Sequence, residues 1–153
     1  MSYAPLAEFL DDLAADPPGP AAGSAAAAAV AIAAALTELS ARRSGDDLTA
    51  TRAAASRARA LPLAEADARA YADVLKSRGE AQREALERAC DVLRQITAAA
   101  DEVRVLAAPL VDTAKGALRG EAFAAVELAE AGRRVADRLI LVNSDSAAID
   151  SGS

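Results

Sequence analysis

Two carboxylates stand where a helical protein would ordinarily place apolar groups. Asp67 lies four residues after Leu63, four before Tyr71 and seven before Val74, so one helical stripe carries all four. Glu121 precedes Ala125 by four residues and Leu128 by one heptad, which extends the seam of the last helix backward. A carboxyl on such a stripe loses water, its pKa rises, and it becomes suited to proton transfer. Plainer roles stay open for both. Asp67 also fits a surface acid paired with Arg69 or Arg59, and Glu121 fits the first turn of a helix, where the dipole favours a negative charge.

The segment Gly19-Pro-Ala-Ala-Gly-Ser24 feeds an alanine-rich stretch and offers backbone N–H groups to an anionic or carbonyl oxygen. Gly-Ser is also an ordinary way to begin a helix. Arg42, Arg43, Arg52, Lys76 and Arg78 fall near expected helix ends, where they would meet an acidic ligand tail or simply face solvent. Cys90 follows the seam position Ala89 and reads as a half-buried filler.

Other chemistries are excluded by what the chain lacks. It has no histidine, which removes imidazole bases, the usual nucleophile triads and the commonest metal ligand. One cysteine makes neither an intrachain disulfide nor a thiolate zinc site, and a lone thiol fits a reducing, cytoplasmic setting. A net charge of −6 and a 3% aromatic content argue against nucleic acid as a partner. The N-terminus has no basic region of the kind a secretory signal carries. The longest unbroken apolar run, Ala25 to Leu36, has 12 residues, short of a membrane span, so no membrane partner is expected.

The elements that must position these groups are helices. Of 153 residues 45 are alanine, while strand formers are scarce. A first helix is expected from Pro5 to about Ala15, and the Asp16-Pro-Pro-Gly-Pro20 segment cannot continue it. A second helix, capped by Gly23-Ser24, runs to about Arg43. A third starts near Leu48, with a kink or brief break at Ala60 to Leu61 ahead of Pro62, and ends near Ser77. The fourth carries the seam Leu86, Ala89, Leu93, Ile96, Ala100, Val103, Ala107 and Leu110, spaced three and four apart, with a bend expected at Pro109. The fifth bears Ala125, Leu128, Gly132, Val135, Leu139 and Val142. The expected fold is all-α, an antiparallel bundle of about five helices over residues 1–143, with 144–153 as a flexible tail. The second helix has no polar face between Ala25 and Leu36, and one bundle cannot cover it on every side, so a homodimer is expected.

Taken in order, four pieces resemble the formiminotetrahydrofolate cyclodeaminase and methenyltetrahydrofolate cyclohydrolase family, also found as the C-terminal domain of formiminotransferase-cyclodeaminase. They are Phe9-Leu-Asp-Asp-Leu-Ala14; the turn Pro18-Gly-Pro-Ala-Ala-Gly-Ser24 with its alanine helix; Asp67-Ala-Arg-Ala-Tyr71-Ala-Asp-Val74; and Leu128-Ala-Glu-Ala131 leading to Leu141-Val-Asn143. Together they span almost the whole chain. Where the family has a glycine run, this chain has Ala21 and Ala22, two methyls expected to narrow a site that backbone approaches.

The resemblance implies a homodimeric helical bundle that takes a tetrahydrofolate derivative as substrate, with no metal and no organic cofactor. It implies catalytic roles for Asp67 and Glu121, and substrate contacts at Gly23, Ser24, Tyr71 and Asn143. Cyclodeamination needs one acid and one base, and cyclohydrolysis needs a base and a positioned water. The residues do not choose between them. A folate-binding protein without turnover and a purely structural helical dimer are the alternatives.

Overall fold

The computed structural model describes residues 4–15 and 21–149, and the side chains of these up to Ser146. The expected turn at Asp16–Pro20 and the last four residues lie outside them. Five helices follow in order: α1 (Ala4–Leu13), α2 (Ala22–Ser44), α3 (Asp47–Lys76), α4 (Gly79–Thr113) and α5 (Leu118–Ile149). Among the described residues there is no strand.

The four long helices form the bundle. Each packs on its neighbours in sequence, α5 closes the ring against α2, and α2 also touches α4 across the diagonal. Short connections make successive helices antiparallel. Gly45 adopts a left-handed conformation (φ 78°) and its N–H returns to the Ala41 and Arg42 carbonyls, which stops α2. Asp46 then caps α3 by accepting the Thr49 N–H at 3.0 Å.

The core is built from small side chains. Ala26, Ala27, Val30, Ala33 and Ala34 of α2 pack against Leu93, Ile96, Ala100 and Val103 of α4 and against Ala129 and Ala136 of α5. Gly132 allows the closest approach, because a Cβ there would lie 2.7 Å from Val30 Cγ2 and 3.0 Å from the Ala26 carbonyl oxygen. By length and composition α2 is apolar enough to cross a membrane, with mean hydropathy 1.6, but 56% of that stretch is buried in the bundle.

The expected break in α3 and the expected end of α5 need correction. α3 runs unbroken through Pro62, with no interruption at Ala60 to Leu61. Ala58 and Pro62 are both exposed, so water can take the carbonyl that loses its helix partner. Pro109 likewise sits inside α4 on an exposed face. Finally, α5 does not end at Asn143 but continues to Ile149, as the Ser144 and Ser146 hydroxyls bond back to the Ile140 and Val142 carbonyls at 2.8 and 2.9 Å. Those i−4 bonds let small polar residues stay helical.

Candidate functional site

Asp67 is drawn into the interior. The surface pairings open to it are taken elsewhere, since Arg69 binds Glu65 and Arg59 binds Glu102. Its residue exposure is 6%, and its Oδ2 lies 3.0 Å from the hydroxyl of the fully buried Ser24. The same hydroxyl donates to the Ala64 carbonyl at 2.7 Å, which ties the start of α2 to the middle of α3.

Gly23 makes this contact possible. A Cβ on Gly23 would fall 2.1 Å from Asp67 Oδ1 and 2.5 Å from its carboxyl carbon, so the carboxyl rests on the glycine backbone. Ser24 does not cap α2, as the sequence suggested. The N-cap is Ala21, which offers no side-chain bond, and the Asp67 carboxyl approaches the first-turn amides from the neighbouring helix. Burial pushes the Asp67 carboxyl above the usual aspartate value, against the opposing influence of the neighbouring Ser24 hydroxyl and backbone amide.

Beside this contact runs an apolar groove of about 450 Å³. Its walls are Pro5, Leu6 and Phe9 of α1, Ala28 and Ile32 of α2, and Leu61 and Ala64 of α3. Ala64 and Ala28 lie one turn from Asp67 and Ser24, so the groove comes within a helical turn of the buried acid. Its size is within the range of small-molecule sites. No sequence signal marked Phe9, Ile32 and Leu61 as one surface, because three separate helices bring them together.

The structure brings together Gly23, Ser24 and Asp67, with Tyr71 one turn further along α3 and 37% exposed. Glu121 does not join them within one chain. Ser40 Oγ reaches the Leu118 carbonyl at 3.3 Å, which puts the start of α5 at the far end of α2. Counting residues along α2, Glu121 is roughly 20 Å from the level of Asp67. It is half-exposed in the first turn of α5, as the dipole reading has it. Asn143 lies at the Asp67 end but on the other side of the bundle, lining a small cleft with Leu86, Glu87 and Cys90.

The remaining candidates have local duties. Arg42 pairs with Glu38, and the Arg78 guanidinium donates to the Leu75 and Ser77 carbonyls at the end of α3. Cys90 is buried, its Sγ 4.0 Å from the Ile140 carbonyl. The methyl of Ala22 is exposed and Ala21 is half-buried, so the close approach falls on the retained Gly23 and not on the altered pair. Among the described residues no group of three or more acids and thiols could hold a metal ion.

The chain is thus an all-α bundle with a buried acid seated on a glycine at a helix start, within a helical turn of an apolar groove. The formiminotransferase-cyclodeaminase family model matches residues 5–151, and the chain belongs to that family. Its fold is similar to the crystal structure of formiminotetrahydrofolate cyclodeaminase from Thermotoga maritima, with a TM-score of 0.86 and 22% sequence identity over 92% of this chain and 78% of that one. Among proteins with curated descriptions, no sequence match is found.

Proposed function

We propose that this protein is a folate one-carbon enzyme of the cyclodeaminase or cyclohydrolase type, acting on 5-formimino-, 5,10-methenyl- or 10-formyl-tetrahydrofolate as a cytoplasmic homodimer. The observation that carries this reading is the buried Asp67 carboxyl, seated on Gly23 within a helical turn of an apolar groove. Family membership supplies the substrate class.

In the cyclodeaminase reaction the folate N10 attacks the formimino carbon. N10 gives up its proton to solvent, the bond from that carbon to the formimino nitrogen breaks, and the electron pair leaves with nitrogen as ammonia once the nitrogen is protonated. Its burial close to the groove supports Asp67 as the group that serves that proton transfer. Glu121 of the same chain is too distant to share one substrate with it. In the cyclohydrolase reaction water attacks the methenyl carbon and gives up a proton to solvent, and Asp67 would serve the protonation of N5 as its bond to that carbon breaks.

A structural reading draws on one specific observation: Asp67 stands in for the cap that Ala21 cannot provide. Titration with 5-formimino- and 5,10-methenyl-tetrahydrofolate, followed by absorbance of the methenyl form, separates the readings. Saturable binding with turnover supports the enzyme, binding alone supports a ligand-binding protein, and neither supports the structural dimer.

A further inference from the structure

The Ser24 hydroxyl has one proton and two oxygens beside it. The Ala64 carbonyl is at 2.7 Å and Asp67 Oδ2 at 3.0 Å. A carbonyl can only accept, and two oxygens at 2.7 Å with no hydrogen between them repel, so the shorter contact requires the Ser24 proton. The longer contact then needs a hydrogen from the other side. We propose that Asp67 is held as a neutral carboxylic acid whose O–H donates to Ser24 Oγ, which makes Asp67 the acid of the site and Ser24 its positioning residue. The acid role rests on the function proposed above, whereas the proton order Asp67 to Ser24 to Ala64 stands on the geometry.

The surroundings hold little to stabilise an anion. α2 has no ionisable side chain from Ala22 to Ala41 apart from Glu38, which is bound by Arg42 and Arg57. On α3, Glu65 holds Arg69. On α4, Glu102 holds Arg59, Asp91 holds Arg94 and Glu84 lies against Arg88, all toward solvent. The α5 cations Arg133 and Arg134 face Asp101, Asp137 and Glu130. Two groups of Ser24 would favour the charged form, its hydroxyl and its backbone amide, and burial opposes both; with the hydroxyl proton committed to the Ala64 carbonyl, only the amide is left to do so.

Substitution of Ser24 gives a test by sign. A neutral acid that donates to Ser24 loses its acceptor in Ser24→Ala, so its pKa falls; an anion that accepts from Ser24 loses a donor, so its pKa rises. The measurement is carboxyl NMR of the full chain with labelled aspartate, using Asp67→Asn to assign the signal. The expected result is a wild-type midpoint above ordinary aspartates that moves down in Ser24→Ala. An upward move, or a wild-type midpoint at or below the ordinary value, overturns the proposal. Should Ser24→Ala not fold, infrared spectra of the wild type decide. A protonated-carboxyl band must be present at a pH where ordinary aspartates are ionised and absent in Asp67→Asn, and its absence from the wild type overturns the proposal. Failure of tetrahydrofolate derivatives to bind counts against the functional reading and leaves these titration results as they are.

Discussion

Asp67 sits on the backbone of Gly23 so closely that a methyl group there would lie 2.1 Å from its Oδ1. No pair of non-bonded heavy atoms tolerates that distance, so Gly23→Ala must drive the carboxyl out of its seat. Overpacking of this kind costs about 1–3 kcal/mol, offset by less than about 1 kcal/mol from the better helix propensity of alanine. The expected outcome is a folded but less stable protein with folate turnover reduced along with the Asp67 geometry. Urea unfolding and a turnover assay check the two halves, and wild-type turnover in this variant would show that the seat is irrelevant to catalysis.

Asp67→Asn keeps the volume and removes the titratable proton. If Asp67 transfers the proton, turnover falls by about 10²-fold or more. Stability moves with a definite sign, because burial raises the folded-state pKa above its unfolded value. The folded protein then binds this proton more tightly than the unfolded chain does, and the stabilisation is fully present below the unfolded pKa and lost as pH rises through the folded one. Relative to the Asp67→Asn variant, the wild type therefore loses stability as pH rises from about 4 through the raised value. Urea midpoints of both proteins across that window measure the difference. A wild type that gains stability relative to the variant over the same window would mean that Asp67 is held as an anion.

The bundle was legible because alanine content, three-four spacing and Gly-Pro punctuation all point to helices. The seam from Leu86 to Leu110 falls on buried positions of α4 throughout. The stripe around Asp67 left burial and a surface pairing equally open, and the structure chooses burial, while Gly23-Ser24 marked the start of α2. Contact between these two segments was not readable, since it depends on how far α3 slides along α2. The same register removes Glu121 from Asp67, a separation that helical spacing within α5 alone does not reveal. Pro62 does not break α3, because the Ala58 carbonyl that loses its helix partner is on an exposed face where water can take it.

Gly132 sets the distance between α5 and α2. A methyl there would meet Val30 Cγ2 at 2.7 Å and the Ala26 carbonyl at 3.0 Å, and the second contact is with backbone that cannot rotate away. Gly132→Ala should destabilise by about 1–3 kcal/mol. Combining it with Val30→Ala relieves the side-chain clash, so the pair should cost less than the sum of the two single changes. Thermal or urea unfolding of the four proteins completes the cycle, and strict additivity would show that the helices do not press on each other here.

Along its outer side α2 presents Ala25, Ala29, Ile32, Leu36 and Leu39, with Ile32 49% exposed and no charged side chain on that stripe before Arg43. α3 and α5 flank the helix and leave Ala25, Ile32 and Leu39 exposed and Ala29 and Leu36 half-buried, and Leu6 and Leu10 of α1 add exposed apolar surface. A contiguous apolar face of this kind is uncommon on a lone monomer, and a second copy of the chain would cover it through a two-fold contact. The wild type should therefore be a dimer at micromolar concentration by sedimentation or light scattering. Ile32→Glu places a charge in the middle of the stripe, where pairing would bury it without a partner, at a cost of several kcal/mol per ion. It should dissociate the dimer while leaving the helical content of each chain intact by circular dichroism. A wild type that sediments as a monomer, or an Ile32→Glu variant that remains dimeric, would remove α2 as the contact surface.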